Sequence, residues 1–263
     1  MLPELQPWSS AEFPGIVVIA HGRVPKLGGE RITAAVGRLL RQHGIPARAR
    51  VRATTATCAT GPVLIQVNLD VAGTPCRMQT LVPGCGDVLR ATVRLRRQLL
   101  PPAQRRPQPW PDFTRRLLAA SGPGAITRHK YCALAIEEPL AAAVTMDTMD
   151  YDVHLFTDAD TGEEAVVYRS AAAGTRLARQ YRPHPAKAPN GAIPGPVTVL
   201  PAPAPLLDDP EAVGTLCARG LPFLFYTHMG TFRGHLLYRR YDANLTLVSP
   251  LPETPREPVP RTP

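Results

Sequence analysis

An α+β protein built from one larger and two smaller folded parts is the fold class that this 263-residue chain predicts, on three observations. Before residue 100, apolar patterns of period 2 and 3.6 follow one another in the order β-α-β-β-β-α. After residue 138, a helix–strand–strand–strand pattern occurs twice. Proline, at 31 residues about 12% of the chain, is more than twice its usual share and gathers between and after these parts. That excess argues against a single helical bundle, because proline removes a helix hydrogen bond and clashes with the preceding turn. With 44% hydrophobic and 19% charged residues, the chain is too apolar to be wholly disordered.

The first part spans 1–100. Gly15 to His21 is a short apolar run that reads as a strand, and Leu27-Gly28-Gly29 as a turn. A helix is expected from about Glu30 to His43, stopped by Gly44 and Pro46. On its wheel Ile32, Ala35, Val36, Leu39 and Leu40 face one way and Arg31, Arg38 and Arg41 the other. Strands follow at Ala47–Ala56, with Arg48, Arg50 and Arg52 on one side, at Val63–Val71 and at Pro75–Val82. A second helix is expected over Gly86–Leu100. Its apolar arc is read as Val88, Leu89, Thr92, Val93, Leu95 and Leu99, its outer face as Arg90, Arg94 and Arg97, and Arg96 as snorkelling past the arc. With one face of a four-stranded sheet covered, both helices would turn their arginines outward.

Residues 101–138 read as a Pro/Arg-rich linker and 139–181 as the first small unit: a helix over Pro139–Met149 and a hairpin of Tyr151–Asp158 and Glu164–Arg169. Residues 182–209 form a second linker; the stretch Arg182–Pro210 holds nine prolines. The second unit, 210–250, repeats the pattern with strands near Leu221–Tyr226, His235–Arg240 and Leu245–Val248. Matching Phe156 to Phe225 and Tyr168 to Tyr238 gives offsets of 69 and then 70, which implies one residue inserted in the turn. The tail 251–263 is expected to be disordered.

Charge divides the chain unevenly. Up to Arg106 there are 15 Lys+Arg and 5 Asp+Glu, a balance of +10; the remainder has 15 and 16, a balance of −1. The whole +9 therefore belongs to the first part, which points to a polyanionic partner there. Five cysteines without a C-x-x-C pair suggest neither a disulfide framework nor a zinc site. The acidic turn Asp158, Asp160, Glu163, Glu164 lacks calcium-loop spacing. No phosphate-binding glycine loop or nucleophile motif occurs. The expectation is a cytoplasmic protein that is not an enzyme and needs no cofactor or metal.

The stretches Met146-Asp147-Thr148-Met149-Asp150-Tyr151-Asp152-Val153-His154-Leu155-Phe156, Asp158 to Arg169 and Leu237-Tyr238-Arg239-Arg240-Tyr241-Asp242 resemble the long-type ribosome hibernation promoting factors, and most of all their actinobacterial dormancy-associated branch. The resemblance implies an N-terminal domain similar to double-stranded-RNA-binding folds, lodged in the small-subunit channel used by messenger and transfer RNA. It also implies a C-terminal domain that dimerises. The implied contacts to small-subunit 16S ribosomal RNA fall on Arg31, Arg38, Arg41, Arg90, Arg94 and Arg97, with Lys26 as helper. Two departures stand out. The C-terminal unit is present twice, and the glycine of the family's Y-R-R-x-D-G is Ala243, so that a positive-φ turn there would fall to Asn244 or be reshaped.

The aromatics Phe156, Tyr168, Phe223, Phe225 and Tyr238, with Val167, are more than one small unit can bury alone. They are expected to pair the two units, within one chain by preference, although a homodimer stays open. The factor would then stabilise single ribosomes. The competing reading is a regulator of other structured RNA, or of transcription, with a C-terminal dimerisation module.

Overall fold

The computed structural model describes residues 7–55, 61–84, 87–101, 104–105, 124–170, 174–181, 197–240 and 243–252. Residues 106–123 of the first linker, 182–196 of the second, the tail from 253, Cys58 and Cys85 lie outside them.

The N-terminal part runs β1 (Pro7–Trp8), β2 (Ile16–His21), α1 (Lys26–Gln42), β3 (Ala49–Thr55), β4 (Val63–Val71), β5 (Thr74–Val82) and α2 (Leu89–Leu99). Its sheet has the order β1-β2-β3-β4-β5, so a two-residue β1 adds a fifth strand. β2 and β3 run parallel, as a connection through α1 requires, and β3, β4 and β5 are antiparallel. Ile16, Val18, Val51, Ile65, Val67 and Met78 alternate onto the side facing the helices, where Ile32, Val36, Leu40 and Leu95 meet them. α1 starts four residues earlier than the sequence suggests, because Gly28 and Gly29 lie inside it. They are not a turn, and Gly29 is a seat: a Cβ on it would stand 1.9 Å from the Trp8 ring. The helix closes where Gly44, at φ 66°, lets Ile45 N–H donate to the Leu40 carbonyl.

The C-terminal part begins with β6 (Ile126–Cys132), then β7 (Ile136–Glu137), α3 (Pro139–Thr148), β8 (Val153–Asp158), β9 (Glu164–Ser170) and β10 (Gly174–Arg179). It continues with β11 (Val197–Val199), β12 (Leu206–Leu207), α4 (Asp209–Ala218), β13 (Phe223–His228), β14 (Gly234–Arg239) and β15 (Leu245–Pro250). Two five-stranded sheets result, β11-β10-β9-β8-β7 and β12-β13-β14-β15-β6. β6 precedes the first unit yet runs parallel to β15 of the second, and β11 precedes the second unit yet runs parallel to β10 of the first. Each unit thus completes the other's sheet, and stretches read as linker supply the strands that do so.

The repeat has a uniform offset of 70. Ala142, Met146, Phe156, Val167 and Leu177 form the core under α3, and Ala212, Leu216, Tyr226, Leu237 and Leu247 form the core under α4. The counterpart of Phe156 is therefore Tyr226, not Phe225, and no residue is inserted in the turn. A one-residue slip along a strand moves a side chain to the opposite face, and Phe225 does face the other way.

That other face joins the units. Leu155, Val166 and Ala178 meet Phe225 and Leu236 in a shared core, flanked by Val153, Tyr168, Phe223, Tyr238 and Val248. Glu164 forms an ion pair with Arg233 across this junction and accepts from the Gly234 N–H at 3.3 Å. Ala243 itself takes the left-handed conformation, φ 66°, in place of the missing glycine.

Candidate nucleic-acid interface

α1 presents its basic side as the wheel suggests. Lys26, Arg31, Arg38 and Arg41 are exposed, opposite buried Ile32, Val36, Leu39 and Leu40. Arg41 is partly committed, lying over the Phe13 ring at 4.6 Å and 3.5 Å from Glu12. On the open face of the sheet Arg48 and Arg50 are exposed and Arg52 is half-buried.

α2 is turned relative to the expectation. Leu89 and Val93, assigned to its apolar arc, are 69% and 62% exposed. Arg90 and Arg96 are exposed, while Ala91, Arg94, Leu95 and Gln98 are buried. The reason lies outside the helix, in the end of α3. Arg94 donates from Nε and Nη2 to the two carboxylate oxygens of Asp150 at 3.1 and 2.9 Å, with both side chains buried. Arg97 lies 3.3 Å from Asp147, which is also met by Arg105 at 3.1 Å and Arg169 at 3.3 Å. The Gln98 amide donates to the carbonyls of Arg77 and Asp147, both at 2.9 Å. Arg94 and Arg97 therefore join the N-terminal part to the first unit and do not present an outward face. Burial pushes the Asp147 carboxyl up, but Arg97, Arg169 and Arg105 outweigh it and hold it below the usual carboxylate range.

Arg105 escaped the sequence reading because it sits in a proline-rich stretch. Its guanidinium accepts no core role by pattern, yet it donates to the carbonyls of Gln98 and Leu100 at 2.9 Å and so closes the end of α2.

Of the residues expected to pair the units, Tyr168, Phe223, Phe225 and Tyr238 lie in the shared core, with the Tyr168 and Phe223 rings edge to face at 5.2 Å. Phe156 and Val167 instead pack beneath α3 within their own unit. The acidic turn is consumed by protein partners: Asp158 by Arg179, Glu164 by Arg233, and Glu163 by the Tyr181 N–H at 2.8 Å.

A cluster the sequence did not suggest brings Asp209, His228 and His235 together, ligand atoms within 4.8 Å, in a recess shared with His129 and Ser249. Its hydrogen bonds are wrong for a metal. His228 Nδ1 accepts the N–H groups of Gly230 and Thr231 at 3.2 Å, so in the neutral ring Nε2 carries the proton and offers no lone pair to the centre. His228 caps its hairpin turn as its counterpart Asp158 does for the Asp160 N–H. Burial first, and His228 second, push His235 down to about 4 against the opposing pull of Asp209.

With this geometry in view, the comparisons with known proteins are specific. Residues 122–177 match the family profile described as Sigma 54 modulation/S30EA ribosomal protein C terminus. Two curated relatives, from Mycobacterium tuberculosis strains CDC 1551 / Oshkosh and ATCC 25618 / H37Rv, are each 47% identical over 251 residues, covering 93% of this chain and 92% of theirs. The chain belongs to the long-type hibernation promoting factors. Both of these relatives are named dormancy associated translation inhibitor. The profile match to the hibernation-factor C terminus ends within β10, so it spans β6 and the first unit but not the second. Among the described residues no helix is long and apolar enough to cross a membrane.

Proposed function

We propose that this hibernation factor inhibits translation under stress or dormancy by occupying the ribosome, without chemistry of its own. The observation that carries this is full-length similarity to proteins named as dormancy associated translation inhibitors, together with a +10 charge confined to the first 106 residues. The N-terminal part, a sheet backed by two helices in the manner of double-stranded-RNA-binding folds, would sit on small-subunit 16S ribosomal RNA in the channel for messenger and transfer RNA. Its primary contacts would come from Lys26, Arg31, Arg38 and Arg41 of α1 and from Arg90 of α2. Arg96, equally exposed, joins them. Neutralised phosphates release counterions, which gives affinity without base reading. Aromatic platforms for stacking single-stranded bases are absent from the described residues of this surface, which favours recognition of RNA shape and backbone.

The two C-terminal units would pair within the chain, so that one factor serves one ribosome. Support comes from a mismatch at the junction. Glu164 and Gly234 are counterparts at an offset of 70, and Gly234 leaves the room that Glu164 fills: a Cβ there would lie 2.6 Å from the Glu164 Cβ. Pairing first unit with first unit would set two such glutamates against each other, and second with second would leave the space empty. The junction suits one of each.

The test is co-sedimentation of ribosomes with a triple Arg31→Glu, Arg38→Glu, Arg90→Glu variant at moderate salt. Loss of association with an unchanged circular-dichroism melt is expected. Retained association would remove the arginine surface from the account. Arg94→Glu is unsuitable for this purpose, because it breaks the contact with Asp150.

A further inference from the structure

The first C-terminal unit carries a feature its twin lacks. α3 and α4 end in the same hydrogen-bonded cap: Asp150 N–H donates to Asp147 and Tyr151 N–H to Met146, while Gly220 N–H donates to Cys217 and Leu221 N–H to Leu216. The left-handed position of this cap belongs to glycine in α4, Gly220 at φ 59°, but to an aspartate in α3, Asp150 at φ 49°. Aspartate is one of the few side chains that adopt this conformation readily, so the cap is kept while a carboxylate is placed where α4 has none.

The carboxylate is fully engaged with the N-terminal part. It takes the Arg94 fork and also accepts from the Gln79 N–H at 2.7 Å, at the free edge of β5. One turn earlier Asp147 collects Arg97 and Arg105; its counterpart in α4 is Cys217, which has no charge to offer. Arg77 completes the contact by lying over the Tyr151 ring at 5.2 Å. An acidic corner found on only one of two related units is thus seated on the basic side of α2.

We propose that Asp147 and Asp150 act as an internal substitute for RNA phosphate, an autoinhibitory plug that holds one side of the basic surface closed in the free factor. The inference rests on the ribosomal-RNA reading above. Carboxylate and phosphate accept the same two-pronged guanidinium hydrogen bonds, so Arg94 and Arg97 hold one or the other, not both. In the closed form α1, Arg90 and Arg96 are available for a first encounter. Full engagement of α2 requires the plug to leave, and the apparent affinity falls by the fraction of molecules that are open. Opening leaves the α3 cap intact, since Gly220 maintains the same cap without a side chain.

The experiment uses the full chain and an Asp147→Asn, Asp150→Gly variant against purified small ribosomal subunits. The variant is expected to bind about tenfold more tightly or better, as for a competent state populated at a tenth or less. In the unmodified protein the Gln79 amide is expected to be protected from hydrogen exchange when free and to lose that protection when bound. Equal or weaker binding by a folded variant overturns the proposal. If the variant does not fold, the exchange measurement decides alone: a Gln79 amide as protected on the subunit as in solution overturns it. Absence of binding by both proteins overturns the ribosomal reading, and this proposal with it.

Discussion

His235 is held neutral in the folded chain at about 4, against about 6.5 when unfolded. Between those values the unfolded state binds the extra proton, so stability is full above about pH 6.5 and is lost as pH falls toward 4. The shift corresponds to on the order of 3 kcal/mol. Thermal unfolding followed from pH 7 to pH 4.5 is expected to show a falling midpoint, and His235→Asn to flatten that dependence across this window. An unchanged slope in the variant would mean that other groups set it. Asp147 works in the same direction at lower pH, its lowered carboxyl contributing stability until it is protonated below the usual carboxylate range. None of this is visible as a motif, because Asp209, His228 and His235 come together only through the hairpin and the helix start.

Elements differ in how far local pattern determines them. β4 and β5 alternate cleanly, and the core they build was legible from Val63, Ile65, Val67 and Met78 alone. The rotation of α2 was not legible, because Arg94 and Gln98 are buried against residues about fifty positions later in the chain. A polar side chain buried by a distant partner looks on a wheel like a solvated one. β6 and β11 were hidden for a related reason: they gain their hydrogen bonds from β15 and β10, far from them or across the repeat, and show little periodicity of their own. The one-residue error in aligning the repeats has the same root, since Phe225 and Tyr226 are both aromatic and only the face they take distinguishes them. Gly234 is the element-scale test of the junction. Gly234→Ala would push a methyl to 2.6 Å from Glu164 and 2.9 Å from the Phe225 ring, with an expected cost of about 1–3 kcal/mol. Chemical denaturation checks it; an unaffected midpoint would show that the units are not held this tightly.

For the whole molecule, the arrangement assigns different work to its two ends. In the proposed reading the basic end carries the affinity for RNA; its arginines divide into an exposed set on α1 and α2 and a set occupied by Asp147 and Asp150. The neutral end is two copies of one unit that exchange strands and share a core. Proline, the feature that first suggested separate parts, closely brackets one of the exchanged strands, β11, at Pro196 and Pro201 in the sequence. The central claim is that this factor occupies single ribosomes, with its C-terminal units satisfied within one chain. Sucrose-gradient sedimentation of ribosomes mixed with a slight excess of purified factor tests it most directly. The expected result is the factor co-migrating with single ribosomes and no growth of a ribosome-dimer peak; an abundant dimer peak that depends on the factor would contradict it.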